Sequence, residues 1–299
     1  MREEGLYHHE PVLLEEVLYW LRVERDKIFV DGTLGLGGHT KAILERGAPT
    51  TKVYAFEWNE DTLQLARERL KDYGDRIKII PKNFIYIKEE MEKEGILVDG
   101  VLLDLGLSSF LLEGSGRGFS FQKDEPLDMR MSLELELTAG HILNTFSEDE
   151  LCRIFTKGEV PRAKALAQFL VKKRKRSPFK TTFDLVSAIK EFYRPPKKKE
   201  KDLLALVFQA LRIEVNKELE NLKRALKEIP DILKPCGRFV VITFHSLEDR
   251  LVKRAFKEDP RLLVLTKKPI VPSSEEVKRN PRARSAKMRV AERREFNGR

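Results

Sequence analysis

The sequence predicts an α/β fold: a Rossmann-like, mostly parallel sheet interrupted by an all-helical insertion. Three observations predict it. Strand and helix signals alternate over the first third of the chain, a glycine-rich turn directly follows the first apolar run, and the alternation stops near residue 110 before a strongly apolar strand resumes it near residue 238.

Helix signals occupy residues 12–21, 40–46 and 61–73, and strand signals occupy residues 28–31, 53–57, 77–80 and 101–104. From 110 to 201 no buried strand is expected. Ser147-Glu148-Asp149-Glu150 reads as a capping box, and Thr181-Thr182-Phe183-Asp184 offers a similar helix start. Pro161 opens a helix over 162–176 with Ala165, Leu166, Phe169 and Leu170 on its apolar side. After the Pro195-Pro196 break, one long amphipathic helix is expected over 203–229. Gly237 then introduces the strand Arg238-Phe239-Val240-Val241-Ile242-Thr243-Phe244, too apolar to be anything but buried, and the tail adds strands at 262–266 and 287–291. The expected domains are a discontinuous core over 1–110 and 205–299 and an inserted helical domain over 111–204, where substrate selectivity is expected.

A chain of 299 residues with 41% hydrophobic content holds one large domain or a core with an insertion. Its net charge of +9 favours a polyanionic partner. Cys152 and Cys236 have neither metal-ligand spacing nor a disulfide framework, which fits a reducing cytosol. His8 and His9 lack a matching Asp, Glu or His cluster, so no metal is expected. No apolar stretch approaches the roughly 20 residues that span a bilayer. The start, Met1-Arg2-Glu3-Glu4, is not a signal peptide. A cytoplasmic protein without a membrane partner is expected.

The turn Asp31-Gly32-Thr33-Leu34-Gly35-Leu36-Gly37-Gly38-His39-Thr40 carries the chemistry. Glycines reach φ > 0 and let a ligand approach the main chain, and the helix that follows presents unpaired N–H groups. Two further strands end in acids, Val53-Tyr54-Ala55-Phe56-Glu57 and Val101-Leu102-Leu103-Asp104. Together they describe an adenosine-binding crevice at the carboxyl edge of a parallel sheet. Glu57 follows the turn by about 20 residues, the usual place for an acid that binds ribose hydroxyls. Thr40 stands where a dinucleotide fingerprint wants its third small residue, which disfavours a nicotinamide dehydrogenase, and no Gly-Lys-Ser/Thr ending exists for a P-loop.

Further blocks follow in one order: Leu103-Asp104-Leu105-Gly106-Leu107-Ser108-Ser109, Arg117-Gly118-Phe119-Ser120-Phe121, Pro126-Leu127-Asp128-Met129-Arg130-Met131 and Phe244-His245-Ser246-Leu247-Glu248-Asp249-Arg250. With His9-Glu10-Pro11-Val12-Leu13 and Asn280-Pro281-Arg282-Ala283-Arg284-Ser285, the chain closely resembles the small-subunit (16S) ribosomal RNA (cytosine-N4)-methyltransferase family over nearly its whole length. The resemblance implies a class I S-adenosylmethionine-dependent methyltransferase sheet of seven strands, with a helical domain inserted after the fourth. It implies methylation of the exocyclic amine of a cytidine in the decoding centre, on the RNA or on the assembled small subunit, and it is compatible with a homodimer.

By the same resemblance, Gly37, Gly38 and His39 contact the methionine part of S-adenosyl-L-methionine, Gly35 belongs to the same cofactor site, Glu57 holds the ribose and Phe84 flanks the adenine. Asp104 lines the cofactor site near the transferred methyl. Where many members read Ser-Ser-Pro-Gln, this chain reads Ser108-Ser109-Phe110-Leu111, so Leu111 cannot make a side-chain hydrogen bond to cofactor. Asp104 is the leading acceptor for the cytosine amine, with orienting the cofactor as its competing role. His245 is either substrate-facing or only a turn residue beside a Ser246/Asp249 N-cap pair. The Asp128-Met129-Arg130-Met131 block either shapes a pocket mouth or packs the insertion.

Three basic runs are read as RNA-gripping: Lys172-Lys173-Arg174-Lys175-Arg176, Arg194-Pro195-Pro196-Lys197-Lys198-Lys199 and the tail over 278–294. A small-molecule methyltransferase explains the turn but not these runs. A ribosome-assembly factor with a vestigial cofactor site leaves the glycines and paired acids without a purpose.

Overall fold

The computed structural model describes residues 10–24 and 27–295; Met1-Arg2-Glu3-Glu4, His8 and His9 lie outside the described residues. The chain divides into two compact units, residues 1–108 with 219–299 and residues 109–218.

The first unit runs α1 (Leu14–Leu21), β1 (Ile28–Asp31), α2 (Gly38–Arg46), β2 (Lys52–Phe56), α3 (Glu60–Leu70), β3 (Ile77–Ile80), α4 (Ile87–Glu94) and β4 (Val98–Asp104). The second unit holds α5 (Ser109–Glu113), α6 (Ala139–Thr145), α7 (Glu148–Lys157), α8 (Ala163–Arg174), α9 (Thr182–Tyr193) and α10 (Lys197–Asn216). The first unit is then completed by α11 (Glu218–Glu228), β5 (Leu233–Thr243), α12 (Ser246–Glu258), β6 (Leu262–Val264), α13 (Ser274–Arg279) and β7 (Lys287–Arg293).

The seven strands form one sheet in the order β3-β2-β1-β4-β5-β7-β6, with β7 antiparallel to both its neighbours. Strand side chains alternate between faces. Val101, Leu103, Phe239 and Val241 therefore enter one core cluster, while Leu102, Val240 and Ile242 enter the other. Helices α1, α2 and α3 cover the second cluster through Leu18, Leu21, Ile43, Leu44 and Leu70; α4, α11 and α12 cover the first through Met91, Leu226 and Phe256. No helix among the described residues is long and apolar enough to cross a membrane.

The expected bounds of β1 and β3 hold, and the helical stretch does follow the fourth strand. Three differences stand out. The helix expected over 203–229 is two helices, because Lys217 takes a left-handed conformation (φ 52) and closes α10 with its N–H bonded to the carbonyls of Ile213 and Glu214. The second boundary consequently falls at 218/219; position 205 lies inside α10. The helix expected over 61–73 ends at Leu70 and tightens into a 3-10 stretch, Lys71–Arg76, in which Gly74 has φ 53. Pro161 does not itself start α8: Arg162, at φ 55, stands between them.

Within the second unit, Ser147 and Glu150 form the expected capping box, the Glu150 carboxylate accepting from the Ser147 N–H at 2.7 Å. Asp184 accepts from the Thr181 N–H at 2.9 Å. The Asp128-Met129-Arg130-Met131 block is an anchored loop. Arg130 grips Asp128 in a two-pronged fork (Nε to Oδ1 and Nη2 to Oδ2, both 2.8 Å), and Met129 is held at φ 60 with its N–H on the Arg117 carbonyl at 2.7 Å.

Asn216, 1% exposed, pins that loop: its Nδ2 donates to the Met129 carbonyl at 2.8 Å and its Oδ1 accepts from the Met131 N–H at 2.7 Å. Asn216→Leu strands both main-chain groups, each costing about 1–3 kcal/mol when buried without a partner. Chemical denaturation of this variant is expected to show a loss of about 2–4 kcal/mol, and a change within error of zero would remove Asn216 as the anchor.

Candidate active site

The strand order reverses between β1 and β4, which are parallel neighbours, so a crevice opens past their carboxyl ends. The glycine turn is stitched to both flanking strands. The Gly32 N–H donates to the Leu102 carbonyl and the Leu34 N–H to the Phe56 carbonyl, each at 2.9 Å. Asp31, 1% exposed, accepts from the Thr33 N–H (3.0 Å) and from the Thr40 hydroxyl (2.7 Å), closing the turn onto the start of α2. Burial pushes the Asp31 carboxyl above the usual range, against the pull of His39, Thr40 and Thr33.

Gly37 caps α2 at φ 82 with no side-chain cap, and a Cβ there would sit 2.7 Å from Leu70 Cδ1. A Cβ on Gly35 (φ +52) meets nothing closer than the Thr33 carbonyl at 3.9 Å, so space is open above it. The first turn of α2 therefore presents main-chain N–H groups towards an open glycine surface.

The Glu57 carboxylate lies across that surface. It accepts from the Gly35 N–H at 3.0 Å and the Asn59 N–H at 2.8 Å. Burial outweighs the N–H groups of Asn59, Gly35 and Trp58 and pushes its carboxyl up to about 7. The Glu57 N–H bonds the Ile80 carbonyl at 3.2 Å, so the segment after β3 lies alongside. There Asn83, 6% exposed, accepts from the Ile85 N–H and starts the 3-10 turn Phe84–Tyr86. The Phe84 Cβ lies 3.2 Å from where a Cβ on Gly32 would stand, which sets Phe84 against the start of the turn.

The Asp104 N–H donates to Thr33 Oγ1 at 2.6 Å, so the last residue of β4 is tied to the same turn. Its carboxylate is partly exposed, with Oδ2 3.7 Å from His39 Nδ1. His39 Nε2 lies 2.9 Å from the Val12 carbonyl, which can only accept, so Nε2 carries hydrogen and Nδ1 faces the acid. Burial pushes the Asp104 carboxyl up, opposed by His39 and the Gly106 N–H and reinforced by Asp31 and Glu248.

β4 and β5 pair with Asp104 opposite Ile242, so His245 lies past the same sheet edge. The expected Ser246/Asp249 cap pair is not what forms. His245 itself caps α12, its Nδ1 receiving the Glu248 N–H at 3.4 Å, while Glu248 accepts from the Phe244 N–H at 2.8 Å. Asp249 is bound by Arg289 instead, at 2.7 and 3.1 Å. His245 Nε2 is buried 3.1 Å from Glu248 Oε1, off hydrogen-bond geometry.

Gly35, Gly37, Gly38, His39, Glu57, Phe84, Asp104 and His245 thus share one sheet edge, while Leu111 belongs to α5 of the second unit, buried at 6% exposure. The roles of Asp31, Thr33, Asn59 and Asn83 were not anticipated; each is an Asp, Thr or Asn at a strand end, the residue type that bonds its own nearby backbone.

The basic runs separate into structural and free parts. Arg174 donates to the carbonyls of Leu143 and Phe146, and Lys173 pairs with Glu191, whereas Lys172, Lys175 and Arg176 are exposed. Lys197, Lys198 and Lys199 are exposed on the first turn of α10. In the tail, Arg289 and Arg293 are buried in β7 and Arg279 pairs with Glu10.

The sequence profile of the MraW methylase family matches residues 6–294. A ribosomal RNA small subunit methyltransferase H from Desulfotalea psychrophila is 47% identical over 290 residues, covering 95% of this chain and 97% of that protein. The protein of the same name from Thermotoga neapolitana is 45% identical over 296 residues, covering 96% of each chain. Matched by the profile from one end to nearly the other, and by relatives close to half identical along their whole length, the chain belongs to the MraW methylase family.

Proposed function

We propose that this methylase modifies the exocyclic N4 amine of a cytidine in the decoding centre of small-subunit ribosomal RNA, in the cytoplasm. The observation that carries the reading is the convergence of Gly35, Glu57 and Asp104 on one crevice, in a chain whose relatives are named as small-subunit ribosomal RNA methyltransferases.

The family's cofactor is S-adenosylmethionine, and the residues present fit it. The Glu57 carboxylate accepts hydrogen bonds from vicinal ribose hydroxyls, Phe84 flanks an adenine, and the open surface over Gly35 with Gly37, Gly38 and His39 takes the methionine part. Leu111 has no side-chain group to hydrogen-bond it. Bound there, the cofactor supplies an electrophilic methyl on a sulfonium whose thioether is already a good leaving group.

The remaining difficulty belongs to the protein: a cytosine amine delocalises its lone pair into the ring. Asp104 accepts an N–H of that amine, favouring a pyramidal nitrogen whose lone pair is free for attack, and takes up the proton released, directly or through water. The neighbouring His39 Nδ1, at 3.7 Å, gives that proton a second resting place. His245 holds its ring at the cap of α12, its buried Nε2 facing Glu248 at 3.1 Å, and so fixes the start of α12 beside the crevice.

Two outcomes follow for the acids. A carboxyl raised from 4.5 to about 7 on folding stabilises the protein below its unfolded value, and that contribution is lost as pH rises through the window to 7. Glu57→Gln is therefore expected to flatten the decline in thermal stability across that window. Ribose binding needs the ionised form, so S-adenosylhomocysteine affinity of the unchanged protein rises between pH 6 and 8, while the Gln variant binds about ten- to a hundredfold more weakly at pH 8 without that slope. An unchanged calorimetric affinity at pH 8 removes Glu57 from the cofactor site.

Asp104→Ala is expected to lower single-turnover transfer of labelled methyl to isolated small subunits by at least about a thousandfold, with S-adenosylhomocysteine affinity within a few-fold. Mass spectrometry of nucleosides digested from the wild-type reaction is expected to find N4-methylcytidine. Near-normal turnover in the variant removes Asp104 from the chemistry, and label on another nucleoside overturns the proposed substrate atom.

A further inference from the structure

The two ends of the described chain are joined beside His39, within the first unit. Asn280 Nδ2 donates to the Glu10 carbonyl and Arg279 pairs with the Glu10 carboxylate, each at 3.1 Å. Pro11 Cγ stands 2.5 Å from where a Cβ on Gly38 would lie, so the N-terminal segment is pressed onto the first residue of α2.

At the centre of this join is one peptide group. The Val12 carbonyl lies 2.9 Å from His39 Nε2, and the N–H of the same peptide, that of Leu13, donates to Glu276 Oε1 at 2.7 Å. A trans peptide points its carbonyl and its N–H in opposite directions, so His39 and Glu276 are held on opposite sides of one rigid plane. Val12, Leu13, His39 and Glu276 are all buried. Hydrogen bonds at the two ends of a peptide polarise one another, and a carboxylate is the stronger acceptor, so the bond to Glu276 reinforces the bond to His39. Leu13 itself takes φ 53, a left-handed conformation that a residue with a side chain rarely adopts. The peptide's orientation is therefore imposed by what surrounds it and not by local preference.

Glu276 sits in α13, where its main-chain N–H, not its carboxylate, makes the cap bond to Ser273 Oγ at 3.1 Å. The carboxylate forms no ion pair among the described residues. A buried carboxylate without a cation is costly, and what this one secures is the peptide that holds His39. On the far side of the ring, Nδ1 stands 3.7 Å from Asp104 Oδ2.

We propose that Glu276 is a positioning residue for methyl transfer: through the Val12–Leu13 peptide it holds the His39 ring in the Nε2–H tautomer, with the bare Nδ1 turned to Asp104. The consequence for the rate rests on the reading of Asp104 and His39 as acceptors of the amine proton; the consequence for the ring does not. Helix α13 thereby acts on the crevice through one peptide from the opposite end of the chain.

The test reads the His39 ring nitrogens by long-range proton–nitrogen correlation spectroscopy at mildly alkaline pH, in protein isotopically labelled at its histidine nitrogens. The chain has five histidines, so the spectrum is sparse, and His39 is assigned by its absence in His39→Ala. The unchanged protein is expected in the Nε2–H form and Glu276→Ala as a mixture of both tautomers. Glu276→Gln, whose amide oxygen still accepts the Leu13 N–H, is expected to match the unchanged protein. Single-turnover methyl transfer to isolated small subunits at saturating S-adenosylmethionine is expected to fall about tenfold in Glu276→Ala, less than the full worth of positioned proton transfer. It recovers in Glu276→Gln and falls no further when Glu276→Ala is added to His39→Ala, as two residues acting through one group require. Should Glu276→Ala not fold, Glu276→Asp withdraws the carboxylate by one methylene and is read in the same way. A His39 spectrum unchanged by removal of the carboxylate, or equal losses of rate with and without His39, overturns the inference. A wild-type protein that transfers no methyl to small subunits overturns the substrate reading alone, since the tautomer of His39 is read without substrate.

Discussion

A carboxylate buried to 1% exposure at the end of β1 has to be satisfied by the chain around it, and the way Asp31 is satisfied sets the geometry of the crevice. Its two oxygens take the Thr33 N–H and the Thr40 hydroxyl, one at each end of the glycine turn. Thr33, held in this way, turns its own hydroxyl to the Asp104 N–H, and the turn presents the Gly35 N–H to Glu57. The positions of Glu57 and Asp104 therefore descend from one internal hydrogen-bond set. The left-handed backbone at Gly35 and Gly37 is the condition for it, since a side chain at either disfavours the conformation and at Gly37 collides with Leu70.

The same arrangement gathers negative charge on a protein that carries +9 overall. Asp31, Glu57, Asp104 and Glu248 lie near one sheet edge, and burial raises the first three. An acidic crevice suits a cofactor that arrives as a cation at sulfur and leaves neutral there, because the field of the acids distinguishes the two. The exposed basic groups act over a screening length of about 8–10 Å at ordinary ionic strength, so RNA attraction at the surface and sulfonium stabilisation in the crevice coexist without cancelling.

The central strands were legible because strands buried on both faces must be continuous apolar runs, as Ile28-Phe29-Val30 and Val101-Leu102-Leu103 are. The acids of the crevice were legible because each terminates such a run. What escaped depended on contacts with residues far along the chain or on unmarked backbone changes. The break at Lys217 occurs within an uninterrupted helical periodicity and without glycine or proline. Histidine is an uncommon helix cap, so the role of His245 in starting α12 carried no compositional signal. Asp31 acquires its meaning from Thr40, nine residues on, and Asn216 from a loop whose carbonyl lies 87 residues earlier.

Charge was the feature sequence resolved least, because a count of basic residues cannot separate structural cations from available ones. Arg174, Arg289 and Arg293 belong to runs that look uniformly basic, yet the first closes two carbonyls, the second forks onto Asp249 and the third is buried in β7. Arginine recurs in these internal roles because its planar fork satisfies several acceptors at once, whereas a lysine ammonium stays hydrated. Among the described residues, those left free are largely lysines: Lys172 and Lys175 at the end of α8 and Lys197, Lys198 and Lys199 at the start of α10. The α10 lysines sit at the positive end of a helix dipole, where cations cost stability rather than add it. A placement that opposes the local electrostatics is the one that folding alone gives no reason to keep, so these lysines point to a partner more strongly than the arginines beside them.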